Sequence, residues 1–361
     1  MEPNTHKKAL VISLRFHPGH VSHMVASYMQ CEELGYESIY YVDPGFTTYL
    51  PKDSKIISSD ASNRPKADLA IFLFPSQKNL PLIWKMKREG TKVVYIFHEP
   101  LAPMKVYREA GFSWMYLAKL WVVDHISALT VKLSDIIIVP SRKAVRYYEE
   151  NKLYTNKNFH YLPLMYADER EERHALMPRL YFSYIGTVAA DHSFKEYLDF
   201  VEWAVVNNKL EGVNFLIGTK SEIDVPENLK KSSRVTIHKG TPMTDEEINA
   251  YYSSTMVVWN AYARTTQSGV LAKSFMFGTP ALVLRNNLNE FTHDGENVVA
   301  IDDNSSFDQI ERGISTIVDN LTHFSHAARE EFETSFYYKV YNDKFIKIIS
   351  HNHVMLDNVL E

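Results

Sequence analysis

The chain has 361 residues, of which 45% are hydrophobic and 23% are charged, with a net charge of −5. This composition excludes a disordered, collagenous or coiled-coil chain and provides enough apolar material for two domain cores. A single cysteine, Cys31, excludes an intrachain disulfide and therefore a disulfide-built secreted protein. No apolar run reaches the roughly 18 residues that a membrane helix needs, so we expect a cytoplasmic protein.

Short apolar runs alternate with helical patterns along the first half of the chain. The run Ala9–Phe16 predicts a buried strand, and the helix after it begins near His20 and stops at Gly35. Further strands are predicted at SIYYVD, LAIFLF, KVVYIF and DIIIVP, and a helix follows over Arg142–Asn151. Buried strands that alternate with helices predict a parallel sheet covered on both faces.

The pattern restarts after a charged, proline-flanked segment, Pro163–Pro178, which is the predicted linker. New strands are predicted at LYFSYIG, VNFLIG, RVTIHKG, MVVWN and PALVLR. Helices are predicted over Phe194–Asn208, Asp245–Ser253 and Val270–Phe277, and the tail SFYYKVYNDKFIKIISHN has helical apolar spacing. Two similar α/β halves predict two Rossmann-like domains with a cleft between them and ligands at the C-terminal ends of the strands.

The charge is distributed unevenly, with +6 over residues 1–165 and −11 over residues 166–361. A basic N-terminal half favours an anionic partner, such as an acidic lipid surface or a phosphorylated acceptor, whereas scattered solvated lysines are the alternative. Within it, Leu80–Lys92 combines Trp84 with several cations. This segment predicts either an interfacial patch for an anionic membrane or an ordinary surface helix. We expect no nucleic-acid partner.

The first strand runs into a loop that contains Pro18-Gly19 ahead of a helix beginning near His20. A helix N-terminus beside a close-approach glycine can receive a phosphate, although the G-x-G-x-x-G pattern of dinucleotide sites is missing. His17, His20 and His23 recur every three residues. Because no carboxylate follows until Glu32, substrate-facing or solvated histidines are favoured over a metal site.

The strand KVVYIF ends in His98-Glu99-Pro100. A polar pair at the C-terminal end of a buried strand lies where active sites form in open sheets. His98 is therefore predicted to donate a hydrogen bond to a substrate hydroxyl or to orient an acceptor. The alternative is a histidine bonded to a neighbouring backbone carbonyl.

The strongest local signal is the segment RTTQSGVLAKSFMFGTP. Ser268-Gly269 opens a helix, so backbone amides near Ser268, Gly269 and Val270 can bind a diphosphate without a metal ion. Arg264, one turn upstream, is predicted to meet phosphate oxygens. The alternative is a plain helix N-cap by Ser268 with a glycine kept for packing.

Taken together, these segments resemble a retaining glycosyltransferase of the GT-B fold, similar to glycosyltransferase family 4. The resemblance is carried over residues 180–300 by FSYIGTVAADHSFKEYLDFVEWA, VNFLIGTKSE, VTIHKGTPMTDEEINAYYSSTMVVWNAY and SGVLAKSFMFGTPALVLRNNLNEFTHDGENVVAI, and outside them by FHEPLAP and FYYKVYNDKFIKII. It implies two Rossmann-like α/β domains facing each other across a deep cleft, with a C-terminal helix crossing back to the first. The expected divisions are an acceptor-binding domain over 1–165, a nucleotide-sugar domain over 166–335 and that helix over 336–361.

The resemblance also implies an activity and a set of site residues. The implied reaction moves a hexosyl unit from a nucleotide diphosphate sugar, UDP or GDP, to a saccharide or lipid-linked acceptor with retention of configuration. The implied reaction needs neither a metal nor a cofactor and serves polysaccharide or glycoconjugate synthesis. If the protein is a peripheral membrane protein, it is expected on the inner face of the plasma membrane. The implied roles are donor contacts from Gly19, Lys195 and Gly240, phosphate capping by Ser268, Gly269 and Val270, catalysis by His98, and acceptor contacts from His20 and Glu99.

The sequence departs from the family pattern where paired glutamates and an arginine are usual. Those positions are Thr265, Lys273 and Thr187, and we expect Arg264 or Lys273 to resupply the positive charge. A non-catalytic GT-B protein that binds a glycan or partner is the first alternative. A nucleotide-sugar epimerase using the histidine–glutamate pair after KVVYIF is the second. The phosphate-binding helix favours the transferase over both.

Overall fold

The computed structural model describes residues 7–61, 64–98, 100–109, 112–189, 191–265 and 267–350. These residues form two compact units. Unit 1 contains the chain up to Ala167 together with the segment from Tyr338 onward, and unit 2 contains Asp168–Tyr337.

Each unit is built on its own parallel sheet. The strands are β1 Lys8–Ser13, β2 Glu37–Val42, β3 Ile56–Ser58, β4 Leu69–Phe72, β5 Lys92–Ile96, β6 Ile136–Val139, β7 Phe159–Tyr161, β8 Tyr181–Ile185, β9 Asn214–Gly218, β10 Val235–His238, β11 Thr255–Asn260, β12 Ala281–Leu284 and β13 Val298–Ile301. The order is β3-β2-β1-β4-β5-β6-β7 in unit 1 and β10-β9-β8-β11-β12-β13 in unit 2. The predicted parallel α/β architecture is therefore confirmed in both units.

Helices form most of the crossover connections between the parallel strands. They are α1 Val21–Glu33, α2 Asn79–Arg88, α3 Met104–Glu109, α4 Trp114–Leu133, α5 Arg142–Glu150, α6 Glu172–Ala175, α7 Phe194–Val206, α8 Glu227–Lys230, α9 Asp245–Ser253, α10 Gly269–Met276, α11 Phe307–Asp319, α12 Leu321–Ser335 and α13 Asn342–Ser350. In the described part of the chain, no helix is both long enough and apolar enough to cross a membrane.

The apolar runs of the sequence form the cores of both units. Every residue of β4, β6, β11 and β12 is buried, because these strands have neighbours on both sides and helices over their faces. The three-residue strands β3 and β7 lie at the edges of their sheet and are only partly buried. Their short, weakly apolar sequences explain why the sequence pattern did not predict them.

The C-terminal segment packs on unit 1. The Tyr338 hydroxyl donates to Glu33 Oε1 at 2.7 Å, and Gln30 Nε2 donates to Asn342 Oδ1 at 3.0 Å, which joins the segment to α1. The predicted tail helix is divided, since a 3-10 turn over Tyr338–Tyr341 precedes α13.

Candidate functional site

The strand order of each sheet places a binding site at a defined edge. In unit 1 the connections run in opposite directions from β1 and β4, and in unit 2 from β8 and β11. Adjacent loops diverge at such a reversal point and leave a crevice at the carboxyl ends of the strands, where open α/β sheets bind ligands. The loops after β1, β4, β8 and β11 therefore border the candidate binding sites.

In unit 2 the loop after β11 ends in the N-terminus of α10. Ser268 caps this helix: its Oγ accepts from the Leu271 backbone N at 3.3 Å and from Asn260 Nδ2 at 2.8 Å. Asn260 is the last residue of β11, so the hydrogen bond ties the start of the helix to the end of the strand. The helix therefore presents its amide-rich, partly positive end at the reversal point, the arrangement that binds anions.

Gly186, immediately after β8, lies against this helix start. Its φ is +145°, a value that side chains rarely allow, and a Cβ built on it would lie 3.5 Å from Val270 Cγ2. The backbone after β8 therefore lies close to the Val270 side chain in the first turn of α10. The predicted phosphate-capping residues Ser268, Gly269 and Val270 are brought to this one edge of the sheet.

His192 occupies the same edge, although sequence reasoning assigned it no role. Its Nδ1 lies 2.7 Å from the carbonyl oxygen of Thr187, and its ring stacks on Tyr262 with centroids 4.4 Å apart. Because a carbonyl only accepts hydrogen bonds, Nδ1 carries the proton and Nε2 is the acceptor when the ring is neutral. Its position between Gly186, which follows β8, and Lys195 on α7 was the available signal.

The cations predicted to contact the donor differ in their surroundings. Arg264 is partly exposed in the loop before α10, and Thr266 lies outside the described residues. Lys195 is exposed on α7 and pairs with Asp199 one turn away, an arrangement that a ligand can displace at little cost. Lys273 is different: its ammonium is buried and pairs with Glu169, which also accepts from Asn249 Nδ2 at 3.2 Å. This contact favours a structural role for Lys273 over the predicted donor contact.

Gly240, predicted to hold the base, follows the edge strand β10. Its φ is +79°, and the Glu222 carboxylate lies where a Cβ would be, so the position requires glycine. Its backbone N donates to the Ser221 carbonyl oxygen at 3.3 Å. The loops after β9 and β10 therefore meet, away from the reversal point and at the end of the sheet.

In unit 1 the loops after β1, β4 and β5 bring several rings together. His20 stacks on Phe74, the Phe74 and His98 ring centroids are 4.3 Å apart, and those of His23 and His98 are 5.5 Å apart. Gly19 is exposed in the 3-10 turn before α1. The predicted residues His20 and His98 are thus neighbours, with centroids 6.2 Å apart, whereas Glu99 lies outside the described residues.

His98 is held neutral by its surroundings. Burial, and then the nearby His23, put the pKa of His98 well below the usual value. Its Nε2 is shielded from solvent and has no hydrogen-bond partner among the described residues. His23 is oriented by a 3.1 Å contact between its Nδ1 and the Met165 carbonyl oxygen. Within the described chain, no three histidine, cysteine or acidic side chains are arranged to hold a metal ion.

An acidic group beside Lys273 gives unit 2 a testable pH dependence. Burial, and then the Glu169 carboxylate, raise the pKa of Asp245 to about 6, while Lys273 offsets part of the increase. The folded state therefore binds this proton more tightly than the unfolded chain, so the contribution of Asp245 to stability falls as pH rises from about 4 to 6.

Asp245→Asn is expected to gain stability relative to the wild type across that pH window. The difference in unfolding free energy between variant and wild type should rise by about 2 kcal/mol from pH 4 to pH 7. Urea unfolding at both pH values measures it. Asp308→Asn, which removes an exposed first-turn carboxylate from α11, is the control. A difference that is flat with pH would contradict the raised pKa.

Comparison with known proteins identifies the fold. No protein-family model and no curated protein matches the sequence. Among solved structures, sucrose-phosphate synthase from Thermosynechococcus elongatus has 11% identity and a TM-score of 0.67, with 95% of this chain and 98% of that chain covered. A glycosyltransferase from Rickettsia africae ESF-5 has 11% identity and a TM-score of 0.66, with 97% and 100% covered.

HepE from Anabaena, in complex with UDP-glucose, is similar to the same degree. It has 12% identity and a TM-score of 0.66, with 96% of this chain and 100% of that chain covered. At these identities the likeness concerns the fold alone. The chain has the GT-B fold, in agreement with the predicted fold class, while the resemblance to glycosyltransferase family 4 stays a prediction.

Proposed function

We propose that the protein is a glycosyltransferase that uses a nucleotide diphosphate sugar. The observation that carries the proposal is the capped N-terminus of α10 at the reversal point of the unit 2 sheet, against Gly186. The fold neighbours support it, since one is described as a glycosyltransferase and another was solved with UDP-glucose. The finer proposal is transfer of a hexosyl unit, with retention of configuration, to a saccharide or lipid-linked acceptor.

The proposed chemistry depends on charge that develops on the leaving group. As the bond between sugar and diphosphate lengthens, negative charge grows on the phosphate oxygens. The amides at the start of α10 and the Arg264 guanidinium are fixed donors for that charge, which is the form of stabilisation that most lowers such barriers. We therefore propose a reaction that needs no divalent metal.

His98 supplies the second part of the proposal. A neutral imidazole offers a donor on one nitrogen and an acceptor on the other, so it can orient a hydroxyl group at neutral pH. We propose that His98 acts on the transferred sugar or the acceptor, with His20 beside it. The Phe74 ring lies against both histidine rings.

The proposal is tested by ligand-dependent thermal stability. UDP, GDP and their sugar conjugates are added separately to the full chain in the presence of a chelator. A ligand that binds the folded state raises the melting temperature by mass action. We expect one nucleotide and its sugar conjugate to do so. If no nucleotide raises the melting temperature, the result would favour the alternative of a non-catalytic GT-B protein.

Arg264→Ala is expected to weaken binding of that nucleotide about tenfold or more. A charge-assisted hydrogen bond to phosphate contributes roughly 1.5–3 kcal/mol, and 1.4 kcal/mol corresponds to a factor of ten. Calorimetric titration measures the dissociation constant. Arg312→Ala, on the exposed side of α11, removes an arginine elsewhere in unit 2 and should leave affinity unchanged. Equal nucleotide affinities in the two variants would show that Arg264 does not contact the donor.

A further inference from the structure

Helix α4 of unit 1 exposes a set of large apolar residues on one side. The side chains at Leu117, Leu120, Asp124 and Ser127 face inward and are buried. The opposite side carries large apolar residues with high exposed fractions: Trp114 75%, Met115 84%, Trp121 57%, Val122 49% and Leu129 53%. We call these five residues the α4 face.

The polar contacts of the buried side fix this orientation. Asp124 accepts hydrogen bonds from Asn151 Nδ2 at 3.0 Å and from the Tyr154 hydroxyl at 2.5 Å. Rotating the helix to bury the α4 face would break these bonds and expose Leu117 and Leu120. Residues at i, i+8 and i+15 lie on one side of a helix, so Trp114, Val122 and Leu129 form a stripe of about 22 Å. A contiguous apolar surface of this kind marks an interaction site.

Cationic side chains surround the α4 face. Lys119 and Lys132 are exposed on the helix itself. The Arg108 guanidinium of α3 lies 5.6 Å from the centre of the Trp114 ring. Helix α2, which packs against α4, adds the exposed Trp84 with the Arg88 guanidinium 4.6 Å from its ring. The acidic group of α4, Asp124, is turned inward, so the described charge around the face is predominantly positive.

These observations favour an anionic lipid surface as the partner. Tryptophan prefers the membrane interface, where its ring is buried and its N–H reaches polar groups, and lysine and arginine beside it attract anionic headgroups. A second copy of this chain would bring the same cations against one another. We propose that the α4 face is the surface by which unit 1 binds the headgroup region of an anionic membrane, lying in its plane without crossing it.

This proposal is independent of the proposed glycosyl transfer, because it rests on no residue of the donor site or histidine cluster. The sequence predicted an interfacial patch at Leu80–Lys92, and the structure places only part of that segment in α2. The proposal extends the patch to the longer helix α4 beside it.

Co-sedimentation of the full chain with vesicles tests the proposal without nucleotide or sugar. The vesicles are phosphatidylcholine alone or phosphatidylcholine with phosphatidylglycerol. We expect binding to the anionic vesicles that weakens as salt increases, and at least about a tenfold loss of partitioning for the Trp114→Ser, Trp121→Ser double variant. The control, Leu176→Ser with Val206→Ser, changes residues of unit 2 that are 84% and 67% exposed, and should bind as the wild type does.

A second measurement uses the unaltered protein, so that a folding defect in the variant cannot decide the result. Brominated phosphatidylcholine in the anionic vesicles should quench tryptophan fluorescence. The proposal is overturned if no vesicle binds or quenches the wild type, or if the control variant loses as much binding. It is also overturned if light scattering shows a wild-type dimer that the tryptophan variant makes monomeric, since a second copy then covers the face.

Discussion

Ser268→Asp is expected to abolish nucleotide binding while leaving unit 2 folded. Aspartate is as good an N-cap as serine, so its carboxylate can accept the same two hydrogen bonds, from Leu271 N and Asn260 Nδ2. It also places a negative charge at the amides where we propose the diphosphate binds. Two like charges about 4 Å apart repel by roughly 4 kcal/mol at the effective dielectric of a protein surface, so affinity should fall by about a hundredfold or more.

Two further variants separate charge from capping. Ser268→Ala removes the cap and should cost about 1 kcal/mol of stability, yet it should keep nucleotide affinity within a few-fold. Ser306→Asp places the same charge at the N-terminus of α11 in the same unit and should not change binding. Calorimetric titration and thermal unfolding of each variant are the measurements. Nucleotide affinity that survives Ser268→Asp would show that the donor phosphates bind elsewhere.

His98→Ala is expected to lower kcat by about 10²–10⁴-fold, the range typical of a lost acid–base or orienting group, with donor affinity unchanged. His98→Gln should recover part of the loss, because its amide can take over one hydrogen bond of the ring. Initial rates with a nucleotide sugar that binds in the thermal assay provide the measurement. His160→Gln, which changes a partly buried histidine on β7 of the same unit, is the control.

The pH profile provides a separate test of His98. Its lowered pKa means that the ring becomes charged only well below its usual pKa, so it stays neutral from pH 6 to 8. We propose that the neutral ring is the active form. Protonation of His98 should therefore leave kcat constant over that range and lower it only at lower pH. An inflection near pH 6.5 that disappears in His98→Gln would contradict the neutral, buried state of the ring.

The α/β architecture could be predicted because its signal is local. Four- to six-residue apolar strands such as β6 and β11, separated by helical patterns, are typical of parallel sheets buried on both faces. Helix α9 was predicted over the same residues that the structure shows, and in the structure Thr244 and Glu247 form a capping box at its start. The cap at Ser268 was likewise visible in the sequence.

Several features of the candidate sites could not be predicted, because they depend on partners distant in sequence. Lys273 was predicted to resupply positive charge at the donor site, but its partner Glu169 lies 104 residues earlier. The sequence analysis assigned His192 no role, because the Tyr262 ring that stacks on it lies 70 residues later in the chain. Phe74 contacts the histidines because β4 lies between β1 and β5 in the sheet, an order that the sequence does not show.

Local patterns in the sequence predict the two-sheet α/β fold, the capped helix at Ser268 and His98 as a candidate site residue, because periodicity and capping act between residues a few positions apart. Strand order depends on non-local packing, so the loops that share an edge are shown by the tertiary structure. It also decided which charges are already paired and which side of α4 faces outward. The contacts of Asp124 with Asn151 and Tyr154 hold the opposite side of the helix inward, so the exposed apolar residues face outward.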